Sequence, residues 1–334
     1  MKNTIFTLIL LVFCLTSFAQ NFEKDAKVIA KNDKIFQLVP EDPKIEILGE
    51  GFTWAEGPCW IPAEQKFVFS DVKENTIFEW TEKGGIKPYL KPSGYTGERP
   101  RGGEMGSNGL TLSLDGKLVL CMCGDRRVAE MATSTANPKP EFITLSGSYD
   151  GQKYNSPNDL CYAKNGDLFF TDPPYGLEQN MRDPLKEMNY QGVFKVDKNG
   201  KTTLLTKDLP YPNGIAVSAD GEKLYVSNSD ARNPAWMVYD LTPDHQIENG
   251  KVFLKPEGID RRQMPGSPDG MAVHKSGWLF AAGPGGIWVI TPEGEHLGII
   301  YTGELTSNCT FNEDYSYLYM SANHKVLRMK LKTP

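Results

Sequence analysis

The chain has 334 residues, of which 40% are hydrophobic and 11% aromatic, and its formal net charge is −6. A chain of this size and composition can bury one large core as a single domain. Its mildly acidic balance, without a dense cluster of Lys and Arg, argues against a nucleic-acid partner.

The first residues have the pattern of a secretory signal. Lys2 precedes an apolar run over residues 5–15, and Ala19 ends a short segment with small residues at the expected cleavage site. The run is too short to span a bilayer. We therefore expect residues 1–19 to be removed and residues 20–334 to form one exported catalytic domain without a membrane span, either periplasmic or secreted.

A short polar motif recurs six times in the rest of the chain. Each copy places a Glu, Asn or Asp beside Gly, Asp or Cys, and a β-rich run and a turn follow it. The six anchor residues, spaced between 39 and 56 positions apart, are Glu56, Asn108, Asn158, Asn213, Asp269 and Asn308. A period of this length with several short strands per unit is typical of a β-propeller.

The strands within each repeat are short and mostly apolar. In the second repeat, residues 110–113 and 118–121 flank the turn residues Asp115 and Gly116. Asp-Gly and Asn-Gly pairs favour tight hairpins. Continuous apolar runs indicate strands that are covered on both faces, as they are between neighbouring blades. No window has sustained helical periodicity, so we predict an all-β fold.

The last interval is shorter than the others, which bears on how the ring closes. The 26 residues after Asn308 and the 36 between Gln20 and Glu56 would together complete one more unit. We therefore predict a six-bladed propeller with four-stranded blades, closed by both termini. The longest insertions, at residues 95–105, 173–189 and 231–262, are expected to cap one end of the ring and shape a pocket.

Equivalent positions of a propeller converge on its axis, so the anchors are expected to meet there. Carboxylate and amide oxygens form a hard ligand set that favours calcium, with magnesium, manganese and zinc as alternatives. Asn contributes an oxygen without adding negative charge. An isolated Asn-Gly pair would indicate only a turn, but six equivalent copies predict a site for a divalent metal ion.

Five motifs resemble those of the family that includes senescence-marker protein, gluconolactonase and luciferin-regenerating enzyme. The resemblance covers nearly all of the mature chain, and residues 171–176 are similar to the bacterial and fungal gluconolactonase branch. The motifs occupy residues 52–58, 156–160, 170–177, 212–214 and 268–271. Members of this family are six-bladed propellers that bind a divalent metal, and many hydrolyse lactones.

The resemblance implies roles for individual residues. Glu56, Asn213 and Asp269 match the metal ligands of the family, and Asn158 matches a position that contacts the metal or the substrate beside it. Asn108 is similar to a pocket residue that serves as a further ligand in relatives that hydrolyse phosphotriesters.

One position departs from the family pattern. The animal members carry Arg two residues before the Asn of the third repeat, where this chain has Ser156. A substrate contact made by that Arg does not transfer to this chain, and neither does the sugar specificity.

The implied reaction is metal-assisted hydrolysis of a sugar lactone. The metal would act as a Lewis acid on the lactone carbonyl, and a carboxylate would accept a proton from the attacking water. Asp269 is our first candidate for this general base, with Glu104, Asp172 or Glu98 as alternatives. The residues expected to contact substrate are Asn108, Asn158, Asp172, Glu104 and Tyr175.

Other readings of the chain stay open at this point. The same site could act on other lactones or on phosphotriesters, or the chain could be a non-catalytic propeller that binds a carbohydrate or a protein around a structural metal. The four histidines have no ligand spacing, which argues against a His-centred triad. The five cysteines of the mature chain are expected to be buried thiols, with one disulfide as the alternative.

Overall fold

Short antiparallel strands account for most of the chain. The computed structural model describes residues 21–332, so the predicted signal peptide at residues 1–19 lies outside the described part. Within that part, three short 3-10 helices cover Asp33–Gln37, Pro62–Glu64 and Asn180–Arg182. The N-terminal strands are β1 (Asn21–Phe22), β2 (Lys27–Ala30) and β3 (Ile45–Glu50).

The first two blades follow in chain order, and each is a four-stranded antiparallel sheet. Blade 1 contains β4 (Ala55–Ile61), β5 (Lys66–Asp71), β6 (Thr76–Thr81) and β7 (Gly85–Leu90). Blade 2 contains β8 (Ser107–Leu112), β9 (Leu118–Met122), β10 (Arg127–Met131) and β11 (Phe142–Ser146). A small separate hairpin then links blade 2 to blade 3, formed by β12 (Ser148–Tyr149) and β13 (Gln152–Lys153).

Blades 3 and 4 have the same four-stranded construction. Blade 3 contains β14 (Leu160–Tyr162), β15 (Leu168–Asp172), β16 (Gly192–Val196) and β17 (Thr202–Thr206). Blade 4 contains β18 (Pro212–Val217), β19 (Lys223–Asn228), β20 (Ala235–Leu241) and β21 (Ile247–Leu254). The expectation of an insertion over residues 231–262 is therefore wrong, because β20 and most of β21 are regular strands that complete this blade.

The last two blades also take strands from the N-terminus. Blade 5 contains β22 (Met271–Val273), β23 (Leu279–Gly283), β24 (Gly286–Ile290) and β25 (His296–Tyr301). Blade 6 contains β26 (Thr306–Phe311), β27 (Tyr317–Ala322) and β28 (Lys325–Lys330). Strand β3 pairs with β28 and gives blade 6 its fourth strand, while β1 and β2 add a fifth outer strand to blades 6 and 5.

These six sheets confirm the predicted six-bladed propeller and its closure by both termini. The strands are antiparallel in every blade, and in blades 1 to 4 they follow in chain order from the innermost strand outward. Across residues 21–332, no helix has the length and hydropathy that a membrane crossing requires.

Neighbouring side chains on one strand explain the continuous apolar runs. Phe170 on β15 packs in the core shared with residues of blade 2, whereas Phe169 packs in the core shared with residues of blade 4. Both rings are fully buried. Alternate residues of a strand point to opposite faces, so a strand inside the ring needs apolar residues at every position.

The innermost strands are irregular where the anchors lie. The pairing register shifts after Glu56 in blade 1 and after Ser107 in blade 2. Such bulges interrupt the ladder and redirect a side chain. Gly57 follows with a φ of +52°, and a Cβ at this position would collide with the carbonyl oxygen of Asn108. The chain therefore uses glycine where adjacent blades approach most closely around the axis.

Candidate active site

Five of the six anchors line one cavity of about 340 Å³ at one end of the central channel. These five anchors are Glu56, Asn108, Asn158, Asn213 and Asp269. The other lining residues are Trp54, Glu104, Tyr175, Ser229, Gly266, Ser267, Leu305 and Thr306. The repeat therefore brings oxygen-bearing side chains from five different blades together.

The sixth anchor lies one position away from the place predicted for it. The Gly270 amide donates to the Ser307 carbonyl, as the Gly109 amide donates to the Asn158 carbonyl, so Ser307 holds the anchor position of blade 6. Asn308 lines the lower part of the channel instead, beside Asp159. The expectation that Asn308 joins the ring of anchors is wrong by one residue, because blade 6 has its register shift between Thr306 and Asn308.

Polar side chains at the ends of the second strands fix the segments that precede the anchors. In blade 3, both carboxylate oxygens of Asp172 accept hydrogen bonds from the backbone amides of Asn155 and Ser156, each at 2.8 Å. Asp71 does the same in blade 1, where it accepts from the amides of Thr53 and Trp54. Asp172 is fully buried and does not line the cavity. The structure therefore places it behind the site as a brace, away from the expected substrate contact.

Hydroxyl groups beside these two braces connect blade 1 to blade 2 and blade 3 to blade 4. Ser70 Oγ donates to the carbonyl oxygen of Asn108 at 2.9 Å, and Thr171 Oγ1 donates to the carbonyl oxygen of Asn213 at 2.6 Å. All four residues are buried. Hydrogen bonds to the anchor backbone from the preceding blade hold the ring of anchors in a fixed arrangement, as a preorganised site requires.

The two carboxylates of the ring are electrostatically strained. Burial, together with the nearby charges of Asp269 and Asp159, raises the pKa of Glu56 well above its usual range. Burial and the charges of Asp159 and Glu104 raise the pKa of Asp269 in the same way. Buried carboxylates that repel each other favour either protonation or a bound cation.

The oxygen atoms of the ring are available to such a cation. Asp269 Oδ1 is buried and has no hydrogen-bond partner among the described residues. Asn213 Nδ2 donates to Ser229 Oγ at 3.1 Å, so its amide nitrogen has a partner, and no described residue donates to its Oδ1. Ser229 Oγ in turn donates to the Pro268 carbonyl at 2.6 Å.

The donor set fits a hard divalent ion held by two carboxylates and neutral amides. Glu56 Oε2 accepts from the Gly57 amide at 3.1 Å, and no described residue donates to its other oxygen. The side-chain amides of Asn108 and Asn158 likewise have no hydrogen-bond partner in the described part of the chain. Over residues 21–332, no three His, Cys, Asp or Glu side chains group as a metal site, so an ion here would depend on the Asn oxygens.

The rest of the cavity wall combines aromatic, apolar and acidic side chains. Tyr175 is stacked on Tyr211, with ring centroids 5.9 Å apart, and burial raises the pKa of its hydroxyl far above the usual range. Trp54 and Leu305 supply apolar surface from blades 1 and 6. Glu104 adds a third cavity carboxylate, and burial raises its pKa to about 7. Tyr175 and Glu104 thus lie where substrate contacts were predicted.

Two loops cover this end of the ring. Asn75 holds the start of the first loop, since its Oδ1 accepts from the backbone amides of Ser93, Gly94 and Tyr95. Glu98 lies on this loop but is exposed and does not line the cavity. In the second loop, Ser156 Oγ donates to the Pro173 carbonyl at 2.6 Å and accepts from the Gly176 amide at 2.8 Å. Ser156 therefore anchors a loop, and it does not line the cavity.

Several cavity residues were not predicted from the sequence. Trp54 lies within the family-like motif at residues 52–58, and Ser229 directly follows the end of β19. The sequence pattern could therefore have indicated that both residues lie near the cavity. Gly266, Ser267 and Leu305 come from connections between blades, Thr306 is the first residue of β26, and none of the four carried such a signal. His245, His274, His296 and His324 all lie outside the cavity lining. The five cysteines of the described chain are unbridged.

Comparison with known proteins places this arrangement among lactonases. Residues 54–324 match the model of the SMP-30/Gluconolactonase/LRE-like region. A gluconolactonase of Zymomonas mobilis is 37% identical over 314 residues, covering 92% of this chain and 86% of its own. A solved gluconolactonase of Xanthomonas campestris superposes with a TM-score of 0.80 at 25% identity, covering 94% of this chain and 98% of its own. Regucalcin of Agrobacterium tumefaciens shares the fold at 19% identity, with a TM-score of 0.64 and coverage of 86% and 94%.

Proposed function

This chain is a lactone-hydrolysing enzyme of the SMP-30/gluconolactonase/LRE-like family, and we propose that it opens a sugar lactone such as gluconolactone with the help of a bound divalent metal ion. The observation that carries the proposal is the cavity in which Glu56, Asn158, Asn213 and Asp269 meet. We assign these four residues as the metal ligands.

Calcium is the ion that this site would best accommodate. Two carboxylates leave a dication nearly neutral, and amide oxygens complete a hard ligand set of the kind that calcium takes. The buried, unpartnered Asp269 Oδ1 and the raised pKa of Glu56 both mark positions where a cation would relieve an electrostatic cost. Bound there, a divalent ion would polarise the lactone carbonyl and stabilise the negative charge that develops on its oxygen.

The chain's own residues would bind and orient the substrate. Asn108 and Asn158 have side-chain amides that are free to bond the hydroxyls of a sugar ring. Tyr175 also lines the cavity, and Trp54 offers an aromatic face of the kind that packs against the apolar face of a sugar. The cavity volume of about 340 Å³ suits a ligand of the size of a single hexonolactone.

A proton-release assay tests the proposal. Purified protein would be mixed with glucono-δ-lactone in calcium buffer, after chelation, and after calcium is restored, and each rate would be corrected for the spontaneous reaction. We expect activity that disappears on chelation and returns with the metal. Full activity in chelator would exclude the metal-dependent mechanism, and no turnover of any lactone would leave a binding propeller as the better assignment.

We also propose that the mature enzyme acts outside the cytoplasm. This proposal rests on the signal-like pattern of residues 1–19. Expression of the full chain in a bacterial host, followed by N-terminal sequencing of the exported fraction, should find a mature start at Gln20. An uncleaved chain retained in the cytoplasm would refute it.

A further inference from the structure

Glu104 is a cavity carboxylate for which the fold provides no partner. It is carried by the loop between β7 and β8, and its side chain lines the same cavity as Glu56 and Asp269. No hydrogen bond or ion pair to its carboxylate occurs among residues 21–332. The positive charge of the exposed Lys73 lowers the pKa of Glu104, but burial raises it more.

The other acidic residues that were candidates for proton transfer are hydrogen-bonded behind the site, lie outside the cavity, or are assigned to the metal ion. Both carboxylate oxygens of Asp172 accept hydrogen bonds from backbone amides behind the site. Glu98 is exposed on the outer part of the loop. Asp269 has a buried, unpartnered Oδ1 and, as a metal ligand, would direct it to the ion. Glu104 is therefore the carboxylate of this group that is free to accept a proton inside the cavity.

We propose that Glu104 is the general acid–base residue of the lactonase, in place of Asp269, which acts only as a ligand. In the first step a water oxygen bonds to the lactone carbonyl carbon, the π electron pair of the carbonyl moves to its oxygen, and one water proton passes to the Glu104 carboxylate. In the second step the carbonyl π bond re-forms, the bond between that carbon and the ring oxygen breaks, and Glu104 returns the proton to the ring oxygen. The products are the hydroxyl and carboxyl groups of the open acid, and Glu104 is ionised again.

The structure holds this residue in place from the neighbouring loop. Arg101, three residues earlier, donates to the Gly124 carbonyl at 2.9 Å and to the Gly176 carbonyl. A Cβ on Gly176 would lie 3.0 Å from the Glu104 carbonyl oxygen and 2.7 Å from Ser156 Cβ, so the two covering loops are in close contact there. Arg101 is thus a positioning residue that fixes the loop that carries Glu104.

The electrostatic surroundings agree with this role. A carboxylate whose pKa lies near the working pH is an effective general base, and burial brings Glu104 into that range. The charged and titratable groups around it are Glu56 and Asp269 on the ring, Lys73 on blade 1, Cys123 on blade 2 and Tyr175 on the second loop.

The inference rests on the proposed lactonase function and is tested with the full-length mature enzyme loaded with calcium. Glu104→Ala and the nearly isosteric Glu104→Gln should lower kcat by ~10²–10⁴-fold with KM little changed, which is the range for loss of a general base. Calcium affinity, measured by calorimetry, should stay at the wild-type value. Glu98→Gln, which removes the same charge from the exposed part of this loop, is the matched control and should keep wild-type kcat.

Chemical rescue distinguishes proton transfer from a structural role. Added formate should restore part of the kcat of Glu104→Ala, measured against blanks with the same formate and no enzyme, and should not restore Asp269→Ala. Arg101→Met should lower kcat, and formate should rescue it less than it rescues Glu104→Ala because the carboxylate is still present.

Three results would overturn the inference while leaving the lactonase function intact. They are a Glu104 variant that keeps wild-type kcat, a folded Glu104→Ala enzyme that formate does not rescue, and a Glu104→Gln enzyme that has lost its calcium affinity. Circular dichroism would establish that each variant is folded. If the wild-type enzyme itself turned over no lactone, the proposed function would fail instead.

Discussion

Asn308 and Asp159 face each other across the central channel, with Asn308 Nδ2 3.4 Å from Asp159 Oδ2. They belong to blades 6 and 3, on opposite sides of the ring. Burial raises the pKa of Asp159 to about 7, and the Asn308 amide partly opposes this rise. In the other four blades the residue that directly follows the anchor is a glycine and has no side chain to place beside this pair. These residues are Gly57, Gly109, Gly214 and Gly270.

This pair predicts the effect of a second acid in the channel. Asn308→Asp would replace a donor to Asp159 with another buried carboxyl group. We expect the free energy of unfolding in chelating buffer to fall by ~2 kcal/mol at pH 8, as for loss of a hydrogen bond to a charged group. At pH 5 the loss should be smaller, because one carboxyl can keep its proton.

Urea unfolding at both pH values measures this effect. The matched control is Asn199→Asp, which makes the same change on an exposed turn. An equal loss at the two pH values would contradict the electrostatic explanation.

Metal binding should make the stability of the enzyme depend on pH in a defined direction. The folded-state pKa values of Glu56 and Asp269 are raised, so their contribution to stability is full below the unfolded carboxyl pKa, ~4, and is lost as pH rises through the folded values. Saturating calcium pairs the ionised carboxylates and should remove this loss. We expect the calcium-induced rise in Tm to be ~5–10 °C at pH 8 and clearly smaller at pH 5.

Differential scanning fluorimetry with calcium and with chelator provides the measurement. The Tm measured in calcium must be compared with the Tm measured in chelator at each pH. The reason is that His274 and His296, whose pKa values are lowered to about 4 in the folded protein, destabilise it as pH falls below ~6.5 whether or not metal is bound. A calcium-induced rise that was larger at pH 5 than at pH 8 would refute the assignment of the ligands.

Loss of a ligand carboxylate should separate activity from stability. Glu56→Gln keeps the shape of the side chain but removes a buried charge that Asp269 and Asp159 repel. We expect lactonase activity to fall by ~10³-fold or more, since removal of electrostatic stabilisation has costs of this order. In chelating buffer at pH 8, however, the variant should melt at a higher temperature than the wild type.

Parallel activity and melting measurements test both parts. Calcium should no longer raise the Tm of Glu56→Gln by the wild-type amount. A variant that was destabilised in chelator would show that the ionised Glu56 is already compensated without a cation.

Asp172 should matter for stability and little for substrate affinity. Asp172→Ala would leave the buried amides of Asn155 and Ser156 without acceptors, at ~1–3 kcal/mol for each unsatisfied group. We expect a lower free energy of unfolding and a KM for lactone close to the wild-type value in the folded protein. Asp42→Ala, at a position whose side chain is 82% exposed, is the control.

Denaturant titration and steady-state kinetics together decide this point. A KM raised ~10-fold or more with stability unchanged would return Asp172 to the substrate side of the cavity.

The sequence predicted the ring of anchors better than it predicted the directions of individual side chains. Glu56, Asn213 and Asp269 could be placed together because a repeat period fixes which residues face the axis of a closed ring. Asn308 could not be placed correctly, because a bulge shifts the register by one residue and leaves no mark in a single chain. Asp172 was expected in the cavity and instead lies behind it. Its position at the end of β15 was clear, but the direction of its side chain depends on the backbone amides of Asn155 and Ser156, which a sequence pattern does not reveal.

Loops were the least predictable part of the site. Residues 231–262, rich in turn-forming residues, were expected to form an insertion and instead contain two strands of blade 4. Leu305 and Gly266 reach the cavity only because the ring brings their connections over it. Glu104 was predicted near the substrate, but its lack of a partner depends on how the loops and blades pack around it, which a sequence pattern does not contain.

The pairing of β3 with β28 has a consequence for how this protein is made. Ile45–Glu50 is made before the first five blades, and Lys325–Lys330 is made after them. Until β28 has been synthesised, the chain can form only an open arc, whose unpaired strand edges can bind other chains. A truncation anywhere before β28 would therefore release a molecule that cannot complete the sheet of blade 6.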